Sequence, residues 1–271
     1  MKDVFGRDYA RLRGKTLYLL DMDGTLYLGD RVFDGTRGFL SGIKARGRYV
    51  FITNNSSRSP ADYVARLASM GIEASKEDFF TSVDAAALLL ADRHPGGLIY
   101  AQGTRSMIGQ LREAGIRVVT EPCSEAEAVL VGFDTELTFE KLVNTVKMLA
   151  LGTPFYATNP DLVCPVEFGS VPDCGSMCVG LENATGRKPY YIGKPRPDMI
   201  RIAMEKYGAL PEETLVVGDR LYTDIAAGVN AGVDTVCVLS GEATLEDIEH
   251  ADLRPDYVLD SVRDLICLFE H

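Results

Sequence analysis

Two carboxylates two residues apart, Asp21 and Asp23, follow the apolar run Leu17-Tyr18-Leu19-Leu20 and lead into Gly24-Thr25-Leu26. In an extended segment residues i and i+2 point to one side, so this spacing predicts that both carboxyls face the same small volume. Charges held that close repel unless a cation lies beside them, and a site so rich in oxygen donors suits Mg²⁺. Gly24 lets the chain turn sharply and present bare N–H groups to a bound anion. More polar groups recur in the same setting, each just after a short apolar run: Thr53 with Asn54, Lys194 before Pro195, and Asp219 after Gly218, with Asp224 five residues on. Together they offer carboxylates, a hydroxyl and an ammonium, the composition of a site for a phosphoryl group. With Mg²⁺ shared by Asp21, the backbone carbonyl of Asp23 and Asp219, and with Thr53, Lys194 and the Gly24 amide on the remaining oxygens, Asp21 is expected to attack phosphorus in line. Asp23 is then expected to protonate the leaving oxygen and later to take a proton from water.

A parallel sheet is what must position these groups. Residues 15–20 read as a buried strand, Gly35 to Arg46 as a helix with Phe39, Leu40 and Ile43 on one face, and 48–53 as a second buried strand. Strand, helix, strand makes a βαβ unit, so Asp21 and Thr53 are expected at one sheet edge. A helix is expected over 60–70. From about Thr81 the pattern restarts as an inserted α/β unit, with strands near 98–101, 128–133 and 154–157 and helices at 104–114 and 139–149. The last of these strands runs into Asn159 and Asp161, which become candidate ligand contacts. Residues 165–175, with their Pro and Gly, read as irregular, and 176–183 as helix. The first pattern resumes near Tyr190 and continues with strands at 214–218, 234–239 and 256–259. The expected fold is therefore α/β: a Rossmann-like core with a parallel sheet, built from 1–80 and 190–271, plus an inserted α/β domain, 81–189, which by itself reads only as a small α/β unit and which the resemblance given below makes a cap that selects substrate.

The composition excludes several other functions. At 271 residues, 46% hydrophobic and 25% charged, the chain is long enough for one large or two modest globular cores. A net charge of −11 argues against a nucleic-acid partner, although a metal or a local lysine still allows an anionic substrate. No membrane span and no signal-peptide core are present, which points to the cytoplasm. The six cysteines form no Cys-x-x-Cys, and none of His94, His250 and His271 sits beside a candidate nucleophile, so zinc and Ser-His or Cys-His chemistry find no support.

At this point the motifs resemble a known family. Asp21-Met22-Asp23-Gly24-Thr25-Leu26, Thr53-Asn54-Asn55, Lys194-Pro195 and Gly218-Asp219 with Asp224 are similar in order and spacing to the four motifs of the haloacid dehalogenase (HAD) superfamily. The block between the second and third motifs, with Ala157-Thr158-Asn159-Pro160-Asp161 and Glu182 to Pro189, resembles the large α/β cap of the NagD-like or 4-nitrophenylphosphatase-type branch. The resemblance implies a Mg²⁺-dependent phosphatase hydrolysing small-molecule phosphomonoesters, such as a sugar phosphate, a nucleotide or a similar metabolite, through an aspartyl-phosphate. It implies Asp21 as nucleophile, Asp23 as acid and base, and Lys194 on the nucleophile and the phosphate. Asp219 falls on the metal with Asp224 behind it, so that Asp21, Asp23, Asp219 and Asp224 are the metal-site candidates. Gly24, Thr53, Asn54, Lys194, Asn159 and Asp161 are the candidates for holding substrate. A cap over the sheet edge closes on small substrates, with hinges expected near 80 and 190. Oligomeric state is open, and the resemblance points to a homodimer as one arrangement. Three readings compete: a phosphotransferase; a non-catalytic phospho-ligand binding module on the same fold, against which Asp23 argues; and a receiver-like signalling module, which is far shorter and lacks Asp-x-Asp after its first strand.

Overall fold

Both faces of the strand Leu17–Leu20 are covered. Tyr18 and Leu20 join a cluster with Phe39, Phe51, Leu215 and Val217, while Leu17 and Leu19, on the other face, are equally buried. A strand covered twice has no polar side to show, which is why it reads as an unbroken apolar run rather than as alternation. Each fully buried leucine here contributes about 1.5–3 kcal/mol relative to exposure. The computed structural model describes residues 1–166 and 168–270; His271, weighed above as a candidate, lies outside the described residues.

In chain order the strands are β1 (Leu17–Leu20), β2 (Tyr27–Leu28), β3 (Arg31–Val32), β4 (Arg48–Thr53), β5 (Phe79–Thr81), β6 (Leu98–Gln102), β7 (Arg117–Val119), β8 (Ala126–Val131), β9 (Phe155–Ala157), β10 (Val163–Val166), β11 (Gly169–Pro172), β12 (Tyr190–Tyr191), β13 (Thr214–Gly218), β14 (Asp234–Val238) and β15 (Tyr257–Leu259). They fall into two compact units. The first comprises Met1–Thr53, Tyr63–Phe80 and the chain from Lys194 on; the second comprises Asn54–Asp62 and Thr81–Gly193.

The first unit is a six-stranded sheet in the order β15-β14-β13-β1-β4-β5. β1 pairs in parallel with both β4 and β13, and the parallel pairing continues through β14 to β15. From β1 the chain winds one way through β4 and β5 and later the other way through β13, β14 and β15. Its winding therefore reverses at β1, and ligands of open α/β sheets bind outside the carboxyl ends at such a reversal. Register then fixes which residues meet there. Leu20 lies opposite Val217 and Phe51, so Asp21 is level with Gly218 and Ile52, and Asp219 and Thr53 stand one residue farther out. The helix Thr36–Lys44 closes one face with Phe39, Leu40 and Ile43, and Asp198–Tyr207 buries Met199, Ile200, Ala203 and Met204 at the same helical spacing.

The second unit is a five-stranded parallel sheet, β12-β9-β8-β6-β7, whose winding reverses where β6 lies between β7 and β8. Its helix Ser82–Arg93 starts at a capping box between Thr81 and Asp84. Cys174 and Cys178, on the helix Cys174–Thr185, are core residues, and hydrogen bonding to Cys174 together with burial pushes the Cys178 thiol far above its ordinary range.

Two local expectations change. Residues 165–175 are not irregular throughout, because β10 and β11 pair antiparallel as a hairpin. Each strand of a two-stranded ribbon is an edge, so Pro165 and Pro172 remove no ladder hydrogen bond that a third strand would need. The loop after Asp21 also contains a small hairpin, β2 with β3. Among the described residues no helix is long and apolar enough to cross a membrane.

Candidate active site

The loop leaving β1 is built as a tight turn. Asp21 N donates to Val217 O at 2.9 Å, while Met22 O accepts from Thr25 N at 3.2 Å and Leu26 N at 2.8 Å. Gly24 takes φ +85°, a conformation that side-chain-bearing residues rarely adopt. A Cβ at Gly24 would overlap the Asp219 carboxylate, and so would one at Gly241 on the exit from β14. Two glycines thus leave Asp219 room on both sides. The carboxylate is held there by Thr25 Oγ1, which donates to Oδ1 at 3.2 Å, and by Glu242 N, which donates to Oδ2 at 2.9 Å.

Asp21, Asp219 and Asp224 each offer an oxygen within 4.8 Å of the others. Lys194 lies among them: its Nζ donates to Asp21 Oδ1 at 2.8 Å, to Asp224 Oδ1, and to Ile52 O at 3.4 Å. Three carboxylates around one ammonium leave the cluster net negative, and the electrostatics follow from that. Burial, then the neighbouring Asp224, pushes the Asp21 carboxyl up to about 7, with Lys194 pulling the other way. The same two causes raise Asp219 to about 6. Burial works against the Lys194 ammonium, but Asp21 and Asp224 more than offset it, so the group stays protonated beyond the ordinary lysine range. An acidic cluster that resists full ionisation is one that a cation relieves. Its donors are hard carboxylate oxygens, from the exits of β1 and β13 and from the helical turn Leu221–Ile225, and this set fits Mg²⁺.

Asp23 stands apart. Its side chain is 52% exposed and outside the three-carboxylate cluster, with Arg66 Nη2 at 3.9 Å. The expected i, i+2 pairing fails because the chain has already left the extended strand at Asp21. Burial still raises the Asp23 carboxyl, against Arg66 and Arg220. Thr53 is buried at the end of β4.

The remaining candidates belong to the second unit and form a group of their own. Asn54 Nδ2 and Asn159 Nδ2 both donate to Asp161 Oδ2 at 2.8 Å. Asn159 is fully buried and also donates to Asp173 Oδ1 at 3.1 Å, while its Oδ1 accepts from Thr158 Oγ1 at 2.8 Å. Its amide is thus spent on holding the acid loop together. Sequence reasoning overlooked Gly241 and Glu242, although they follow an expected strand to the same sheet edge. It also missed Arg220, whose Nε lies 3.0 Å from Glu242 Oε2, and Arg66, for which a helical position gave no local signal.

The sequence profile of the haloacid dehalogenase-like hydrolases matches residues 18–117, and a HAD-hydrolase-like profile matches residues 191–265. The acid sugar phosphatase of Staphylococcus aureus is 34% identical over 254 residues, covering 93% of this chain and 97% of that protein. The crystal structure of 4-nitrophenylphosphatase from Thermotoga maritima superposes with a TM-score of 0.89 at 39% identity, covering 95% of this chain and 98% of the other. A glycerol phosphate phosphatase from Mycobacterium tuberculosis in complex with magnesium gives a TM-score of 0.88 at 32% identity, covering 98% and 79%.

Proposed function

This chain belongs to the haloacid dehalogenase-like hydrolase family and is a phosphoric monoester hydrolase, and we propose that it is a Mg²⁺-dependent cytoplasmic phosphatase of small sugar or polyol phosphates. The observation that carries the reading is Lys194 joined to Asp21 and Asp224, with Asp219 beside them, where the sheet reverses its winding. The substrate class follows the acid sugar phosphatase and glycerol phosphate phosphatase among the relatives, and we assign its selection to the second unit.

Asp21 is the nucleophile. One of its carboxylate oxygens bonds to phosphorus as the ester P–O bond opposite breaks, giving an aspartyl-phosphate. Asp23 delivers a proton to the departing alkoxide, then removes one from the water that attacks phosphorus and frees Asp21. Lys194 keeps Asp21 ionised and oriented, and with Thr53 it holds phosphate oxygens; the Gly24 amide, expected to join them, is instead committed to Tyr27 O at 2.7 Å. Asp21, Asp219 and the main-chain carbonyl of Asp23 would hold Mg²⁺, with Asp224 steadying the site through Lys194. When bound, the ion neutralises charge on the phosphate oxygens.

The test is phosphate release from a panel of metabolite phosphomonoesters and 4-nitrophenyl phosphate, with Mg²⁺ or chelator. Metal-dependent turnover that Asp21→Asn abolishes is expected. Folded protein that binds Mg²⁺ and releases no phosphate from any compound would overturn the reading, and phosphate passed to an alcohol in preference to water would make it a phosphotransferase.

A further inference from the structure

Two cations act on the half-exposed Asp23, Arg66 and Arg220, and Arg66 is also tied to the loop carrying the acid. Arg66, on the helix Pro60–Ser69, places Nη2 3.9 Å from Asp23 Oδ2 and donates from the same nitrogen to Gly29 O at 3.2 Å. Its guanidinium carbon lies 5.1 Å from the centre of the Tyr27 ring. Gly29 turns the β2–β3 hairpin, and Tyr27 O accepts from Gly24 N at 2.7 Å, next to Asp23. Tyr27 also bridges to Asp23 through the backbone. A single planar side chain therefore stacks on the hairpin's aromatic, bonds its turn and faces the acid, a combination that the guanidinium fork allows and an ammonium does not.

The distance matters. At 3.9 Å the attraction between Arg66 and Asp23 is electrostatic, so the guanidinium restrains the carboxyl without a hydrogen bond of its own, beside the backbone bond that the carboxyl accepts from Gly29. An acid that must hand its proton to a leaving group needs its orientation restricted while the proton stays free to leave.

We propose that Arg66 is a positioning residue for Asp23, holding the β2–β3 hairpin and the carboxyl in the orientation from which the leaving oxygen is protonated. This rests on the phosphatase reading above. Its signature is dependence on the leaving group. An alkoxide needs the proton as it departs, whereas 4-nitrophenolate leaves without it, so loss of a positioned acid should fall selectively on alkyl phosphates.

The experiment compares kcat/KM, which reports steps up to leaving-group departure, for glycerol phosphate and 4-nitrophenyl phosphate in wild type, Arg66→Met, Arg66→Lys and Asp23→Asn. Arg66→Met should lower kcat/KM on the alkyl ester about tenfold, a fraction of what general acid catalysis contributes, and about threefold or less on the aryl ester. Asp23→Asn should show the same selectivity more strongly. Should Arg66→Met fail to fold, Arg66→Lys carries the test, with an alkyl-to-aryl ratio expected to fall at least about threefold because charge is kept but the fork is lost. Equal losses on both substrates, as direct phosphate binding or a purely structural role would give, overturn the proposal while leaving the phosphatase reading intact. Wild type that hydrolyses neither ester overturns both.

Discussion

Replacing Asp219 with asparagine should make the metal-free protein more stable while destroying its function. Burial and Asp224 raise the Asp219 carboxyl from its ordinary 3.8 to about 6. A raised folded-state value means that the native protein holds this proton more tightly than the unfolded chain. The associated stability is complete below about pH 4, is lost as pH rises through about 6, and is absent at pH 8. About two units at 1.36 kcal/mol each sets an upper bound near 3 kcal/mol for what the charge costs at that pH. Asparagine removes the charge and keeps the shape. Its oxygen can accept from Glu242 N, and its NH₂ can face Thr25 Oγ1, whose hydroxyl is able to turn and accept. We expect Asp219→Asn to gain on the order of 1–3 kcal/mol over wild type in chelator at pH 8, with the gap closing by about pH 4. Mg²⁺ should then invert the order. A ligand at a hundred times its Kd stabilises by about 2.7 kcal/mol, a gain open to wild type and largely closed to the variant. Urea denaturation at pH 4.5 and 8, with and without Mg²⁺, measures all four quantities. A variant less stable than wild type in chelator at pH 8 would refute the claim that these carboxylates are held together at a cost.

Lys194→Met should act in the opposite direction: stripping the ammonium from between Asp21 and Asp224 leaves buried charge uncompensated, and a loss of about 3–5 kcal/mol in urea denaturation is expected alongside abolished turnover. A loss below about 1 kcal/mol would contradict the bridging role. Gly241→Ala puts a methyl group into the Asp219 carboxylate; the Mg²⁺-induced rise in Tm should shrink or vanish, and an unchanged rise would show that the space is not needed. Burial lifts Asp173 to about 6 against its bonds to Cys174 N and Asn159, so by the same sign its stabilising proton is lost between about pH 4 and 6. Asp173→Asn should accordingly flatten that part of the stability profile, and a profile identical to wild type would count against the buried-acid account.

How much of this was legible before folding varies by residue. Asp21, Thr53 and Asp219 each follow a short apolar run that ends in small or polar residues, and a strand buried on both faces writes itself locally as such a run; Lys194 instead follows β12, a half-buried edge strand of the five-stranded sheet. The pattern also located the helix 36–44 to within two residues at each end, because its apolar positions recur at helical spacing. Asn159 shows where this stops. Its type and its place at a strand end suggested a ligand contact, yet its amide is committed to Asp161 and Asp173, and Asp173 lies fourteen residues away.

The sequence by itself determined an α/β chain with four polar strand exits, an inserted second α/β unit, and a donor set suited to phosphate and a divalent cation. These are properties of short stretches, fixed by periodicity, turn residues and side-chain chemistry. Tertiary structure alone decided the strand order that puts β1 between β4 and β13, and hence which exits meet. It decided that Asp23 stands outside the carboxylate cluster, that Arg66 comes from a distant helix to face it, and that Gly241 gives Asp219 its room. It also set the raised carboxyls of Asp21 and Asp219. Such properties arise from burial and from charges brought close by residues far apart in the chain, and no local pattern encodes either.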